Sequence, residues 1–133
     1  MKKSADFNGK KVLVVDDDQD FLEQTSIVLR SLGFEIRSAE NQKEAEAMIE
    51  KENFDLAVFD LMLENNDSGF VLSYKFKKKN PETPVILVSA VTAETGLAFD
   101  SETPEGKSWI KADVFLNKGI RPEQLEKEIK RLM

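Results

Sequence analysis

The chain has no cysteine and no histidine among its 133 residues, and only one tryptophan, one tyrosine and four prolines. Without cysteine there is no disulfide framework and no thiolate zinc site. Without histidine the chain cannot act as the phosphohistidine donor of a relay. No stretch approaches the roughly 20 consecutive apolar residues that a membrane span needs. Met1-Lys2-Lys3 resembles the start of a leader, yet the apolar run from Val12 to Val15 is too short for a signal core and ends in acid. A cytoplasmic location without membrane contact is the expectation. Basic residues are the minority, 19 against 25 acidic ones, for a net charge of −6. A nucleic-acid backbone attracts a clustered basic face, so no direct nucleic-acid binding is expected. The one basic run, Lys75 to Lys79, reads as the solvated end of a helix, because cations favour a helix C-terminus.

What remains is an ordinary folding sequence. Hydrophobic residues at 41% and charged residues at 33% are globular proportions and argue against disorder. A chain of this length fits one domain spanning 1–133, and it buries roughly 70% of the surface its unfolded form exposes. Four apolar runs stand out: Val12 to Val15, Leu56 to Phe59, Val85 to Val88 and Val114 to Leu116. They are near-continuous, as in strands covered on both faces of a parallel sheet. A weaker alternating run, Phe34 to Ala39, reads as an edge strand.

Helical patterns separate these runs. Phe21, Leu22, Val28, Leu29 and Leu32 form a stripe stopped by Gly33, with Asp18 as its N-cap. Ala45, Met48 and Ile49 mark a second helix capped by Asn41. Phe70, Val71 and Tyr74 mark a third, closed before Pro81. Pro122 opens a last helix carrying Leu125, Ile129 and Leu132. The alternation implies a parallel sheet with helices on both faces. Residues 91–112 are the exception. Gly96, Pro104 and Gly106 interrupt the pattern, which predicts a short or irregular fourth helix and a long loop.

Two strands end in acid, Val15-Asp16-Asp17-Asp18 and Phe59-Asp60. Doubly wound sheets bind ligands beyond the carboxyl ends of strands where the order reverses. If these strands are neighbours, carboxylates converge there, and converging carboxylates repel unless a cation is shared. The hard cation suited to a few carboxylates plus water and phosphate is Mg²⁺.

The segments Val-Leu-Val-Val-Asp-Asp at 12–17, Phe-Asp-Leu-Met-Leu at 59–63, Val-Ser-Ala at 88–90 and Phe-Leu-Asn-Lys at 115–118 resemble the four signature segments of two-component response-regulator receiver domains, the CheY-like family. They occur in the family's order, and the intervals from Asp16 to Asp60 and from Asp60 to Ser89 are near the usual ones. The resemblance implies a flavodoxin-like five-stranded sheet in the order 2-1-3-4-5, an order carried over from the family. It implies that Asp60 accepts a phosphoryl group as an aspartyl phosphate. Asp17, Asp60 and the backbone carbonyl of Met62 would ligate Mg²⁺, with Asp16 acting through water. Lys118 would pair with the phosphoryl oxygens. Ser89 would hydrogen-bond to them, with Ala90 leaving room and Phe115 turning inward as Ser89 moves. The implied partners are a histidine kinase or phosphotransfer protein and an output domain or partner protein; a homodimer also fits. Catalysis would be confined to Mg²⁺-dependent phosphorylation of the chain itself and its reversal.

The chain departs from the family in several places. Gly119 follows Lys118 where proline in a cis bond is usual, and a non-proline cis bond costs about 2.5–4 kcal/mol, so a trans bond is predicted. Glu64 stands where proline is common, in a loop one residue longer than usual, and Phe115 replaces a frequent tyrosine. The interval from Ser89 to Lys118 is several residues too long. Its excess contains Phe99 and Trp109, which either shape a partner surface or plug the core under a long loop. Three other functions compete. A haloacid-dehalogenase-type phosphohydrolase wants an acid two residues after the nucleophile, where this chain has Met62. A flavin phosphate would be repelled by the acidic first loop. A receiver-like interaction module that no longer uses phosphate is the remaining alternative.

Overall fold

The computed structural model describes residues 7–61, 68–89, 113–117, 119 and 121–133. Within them five strands, β1 (Lys11–Val15), β2 (Glu35–Ala39), β3 (Leu56–Asp60), β4 (Val85–Ser89) and β5 (Val114–Asn117), alternate with helices α1 (Gln19–Ser31), α2 (Gln42–Lys51), α3 (Ser68–Lys79) and α4 (Pro122–Leu132). All pairings are parallel and the sheet order is β2-β1-β3-β4-β5. The expected flavodoxin-like topology is therefore the observed one. No described helix is long and apolar enough to cross a membrane. The segment expected to hold the irregular fourth helix lies outside the described residues.

Alternation along the central strands builds two cores. Val12, Val14, Val58, Ile86 and Val88 face one side with Leu22 and Leu29 of α1 and Leu125 and Ile129 of α4. Leu13, Val15, Ala57, Phe59, Val85 and Leu87 face the other, with Ala45 and Ile49 of α2 and Leu72 and Phe76 of α3. Period-two side-chain direction sends each strand's residues to both layers, which explains why β1, β3 and β4 read as unbroken apolar runs.

Local chemistry sets the helix ends. Asp18 Oδ1 accepts from the N–H groups of Asp20 at 3.0 Å and Phe21 at 3.3 Å, the N-cap function expected of it. Asn41 Oδ1 accepts from Glu44 N–H at 2.8 Å, and Glu44 Oε1 reaches back to Glu40 N–H at 3.0 Å. α1 stops at Gly33, whose φ is +104°. There Gly33 N–H donates to Arg30 O and Phe34 N–H to Leu29 O, the paired bonds of a Schellman end. A Cβ on Gly33 would also come within 2.8 Å of the Asn8 backbone nitrogen.

Two expectations are corrected. The run 114–116 is half-buried rather than covered on both faces, because among the described residues β5 is an edge strand bonded only to β4. On α3 the buried positions are Ser68, Gly69, Leu72, Ser73 and Phe76, while Tyr74 is 51% exposed. Five apolar residues between 70 and 76 offer the helix two possible faces. The one used puts Phe76 edge-on to Phe59, with ring centroids 5.7 Å apart.

The basic run does more than end a helix. Lys79 Nζ donates to the carbonyls of Ile49 at 2.6 Å, Glu50 at 3.2 Å and Glu52 at 3.3 Å, closing the C-terminus of α2 from the neighbouring helix. Lys75 pairs with Glu46 at 3.0 Å. Lys77 pairs at 2.9 Å with Asp113, the residue before β5. Asp113 also accepts from Val85 N–H at 2.8 Å and donates its own N–H to Val85 O at 2.9 Å. That reciprocal bond ties the amino ends of β4 and β5 together.

Candidate functional site

The chain runs from β1 out to β2 on one side and, after α2, returns to β3 on the other. The sheet order reverses between β1 and β3, so a crevice opens at their carboxyl ends. Asp16 and Asp17 follow β1 directly and Asp60 is the last residue of β3. One carboxylate oxygen from each of the three lies within 4.8 Å of the others. Asp16 and Asp60 are buried and Asp17 is exposed.

The surroundings hold this acidic corner in place. Asp16 N–H donates to Ala39 O at 3.1 Å, and its Oδ1 accepts from Asp18 N–H at 2.8 Å. Asp18 thus links the cap of α1 to the acid group, a connection beyond the capping role read from the sequence. Beyond Asp60, Leu61 N–H donates to Val88 O at 2.8 Å, extending the β3–β4 ladder by one residue.

Ser89, the last residue of β4, is 9% exposed and pairs with Asn117 at the same edge of the sheet. Phe115, in the middle of β5, packs against the α2–α3 core and meets Phe70 edge-on at 6.2 Å. Gly119 N–H donates to Asn117 Oδ1 at 2.7 Å, a bond that a proline at 119 would lack. Met62 and Lys118, together with Glu64, Ala90, Phe99 and Trp109, lie outside the described residues.

Sequence reasoning passed over Gly69. It is buried in the first turn of α3, and its N–H donates to Leu61 O at 2.8 Å. A glycine at a helix start after a loop was the available signal.

Chemically, the donor set is all hard oxygen, in a chain with neither thiol nor imidazole. Three carboxylates, two buried and one open to solvent, fit Mg²⁺ completed by water and phosphate oxygens. They would suit zinc poorly.

The model for the response regulator receiver domain family matches residues 12–130. The transcriptional regulatory protein GltR of Pseudomonas aeruginosa is 30% identical over 128 residues, which is 95% of this chain and 50% of that protein. A CheY-like response regulator receiver domain protein from Methanospirillum hungatei has a TM-score of 0.74 at 30% identity, over 92% of this chain and 91% of that one. The response regulator protein TrrA of Thermotoga maritima, solved in complex with Mg²⁺–BeF, has a TM-score of 0.74 at 27% identity, over 93% of this chain and 99% of that one. The chain spans about half the length, or less, of the curated relatives it matches.

Proposed function

We infer that this chain, which belongs to the response regulator receiver domain family, takes a phosphoryl group from a partner histidine kinase or phosphotransfer protein onto Asp60 and thereby changes what it binds. Receiver domains are signalling switches rather than enzymes acting on a separate substrate. The observation that carries the reading is the meeting of Asp16, Asp17 and Asp60 at the β1–β3 reversal. We read residues 1–133 as a single such domain.

In this reading an oxygen of Asp60 attacks the phosphorus of a phosphohistidine on the donor. The new O–P bond forms as the N–P bond breaks, and the imidazole leaves with the displaced electron pair. Such a transfer needs in-line placement and neutralised charge more than covalent assistance. Asp17, Asp60 and the carbonyl of Met62 would hold Mg²⁺, with Asp16 acting through water. The ion would supply positive charge between the incoming phosphoryl oxygens and the carboxylates. Asp16 is held by its N–H bond to Ala39 O and by the Asp18 N–H that its Oδ1 accepts. Lys118 would add a second positive charge and Ser89 a hydroxyl donor to the phosphoryl group.

The phosphorylated residue carries about −1.5 to −2 charges on strong acceptor oxygens. Ser89 moving toward them would vacate space for Phe115. An output domain or partner protein, or a second copy of the chain, would read that change. The Mg²⁺–BeF bound to TrrA names a suitable mimic of the charged state. Cytoplasmic residence agrees with such a partner set.

The test is incubation with a small phosphodonor and Mg²⁺, followed by intact mass of wild type and Asp60→Asn. One phosphoryl increment on wild type alone supports the assignment. Equal labelling of both proteins moves the acceptor elsewhere, and labelling of neither favours a module that binds partners without phosphate.

A further inference from the structure

The start of α3 approaches the end of β3 so closely that only a hydrogen fits between them at Gly69. A Cβ at that position would lie 2.5 Å from the Cα of Leu61, 2.6 Å from the carbonyl oxygen of Asp60 and 3.1 Å from the carbonyl oxygen of Leu61. All three are backbone atoms, so no side chain can rotate aside to make room. They belong to the stretch of backbone that directly follows Asp60, the first two to the Asp60–Leu61 peptide and the third to the carbonyl of Leu61. That stretch is held on its other side by the Leu61 N–H bond to Val88 O at 2.8 Å, and the Leu61 side chain is itself buried. α3 has little room to retreat, because Leu72 and Phe76 lock it into the core.

We propose that Gly69 is a positioning residue for the Asp60 carboxylate, letting α3 seat the Asp60–Leu61 backbone where that carboxylate meets those of Asp16 and Asp17. The proposal rests on the phosphoacceptor reading above. Asp16 and Asp17 follow β1 and precede α1, so a side chain at 69 displaces one member of the trio relative to the other two. To reach an ordinary carbon–carbon separation the closest contact must lengthen by about 1 Å. A misplacement of that size costs about 10²-fold in a reaction governed by position.

The experiment compares wild type, Gly69→Ala and Gly9→Ala for labelling by a small phosphodonor across a Mg²⁺ titration. Gly9 has φ +87° and nothing within 4 Å of a Cβ. Alanine there strains the backbone away from the site and controls for lost stability alone. Each protein is assayed at a temperature where circular dichroism shows it folded. Gly9→Ala is expected to label like wild type. Gly69→Ala is expected to label about 10²-fold more slowly at saturating donor and to need more Mg²⁺ for half its maximal rate. Equal rates and equal Mg²⁺ requirements overturn the proposal. So does a Gly69→Ala protein that does not fold beside a folded Gly9→Ala, since the glycine then serves the fold alone. A wild type that takes no label removes the phosphoacceptor reading instead. The Mg²⁺-induced rise in Tm then decides the placement question, a smaller rise in Gly69→Ala supporting it and an equal rise overturning it.

Discussion

Replacing Asp17 by asparagine is expected to stabilise the metal-free protein and at the same time remove its response to Mg²⁺. Three carboxylate oxygens lie within 4.8 Å of one another. At that separation two unit charges repel by about 0.9 kcal/mol at the dielectric constant of water and about 3.5 kcal/mol at an effective value of 20. Asp17 is the exposed member, so the lower figure governs, and it faces two neighbours. Neutralising it relieves about 1–2 kcal/mol. For a chain of this size, with about 2.1 cal/mol/K of unfolding entropy per residue, that raises Tm by about 4–7 °C in EDTA. Wild type should gain in turn from the ion. Mg²⁺ at 100 times its Kd adds about 2.7 kcal/mol, or about 10 °C. Thermal melts followed by circular dichroism, with EDTA and with Mg²⁺, read both effects. A fall in Tm for Asp17→Asn in EDTA would show that the cluster is not under electrostatic strain. An undiminished Mg²⁺ response in the variant would refute the assignment of Asp17 as a ligand.

Two further outcomes test the frame around the site. Lys79→Met removes an ammonium that holds three terminal carbonyls of α2. Counting about 1 kcal/mol for the dipole contact and about 1 for the bonds, it should lower Tm by about 7 °C. Lys78→Met is expected to change Tm by less than about 2 °C, and similar shifts for the two variants would sink the capping account. Glu46 has a pKa lowered from its ordinary value of 4.5, first by its hydrogen bond from Gln42 and then by Lys75. A depressed carboxylate contributes stability that is complete above the unfolded value and is lost as pH falls through the folded one. Lys75→Met should therefore reduce the loss of Tm on acidifying from pH 6 to below 4.5. The change should stay under about 1 kcal/mol for so exposed a pair, and an identical pH profile would refute it.

Much of this molecule was legible in its residues because the signals were local. Continuous apolar runs marked the strands covered on both faces, and alternation at 34–39 marked β2 as an edge. Asp18, Asn41, Gly33 and Pro122 announced helix ends by chemistry that needs only neighbouring backbone. The acid trio was legible because strand ends in a parallel sheet share one edge, so Asp16, Asp17 and Asp60 could be brought together once topology was known. What escaped depended on distant partners. Whether Val114 to Leu116 is covered depends on what lies beyond β5. Which side of α3 is buried depends on how Leu72 and Phe76 meet Phe59, and nothing within 70–76 distinguishes that side from the one bearing Tyr74. Lys79 reads as a solvated cation until α2 is seen ending against it. Gly69 is one glycine among six until the Leu61 backbone is found where its Cβ would be.

The reciprocal bond between Asp113 and Val85, reinforced by Lys77, has a mechanical corollary. It rivets β5 to β4 and α3 at the end of the sheet remote from the acid trio. The ladder joins β5 to β4 along its whole length, and the rivet adds a side-chain anchor at one end only. A displacement imposed at Asn117 would therefore be resisted most at Asp113, about 13 Å along the strand, and the amino edge would serve as the base against which the carboxyl edge yields.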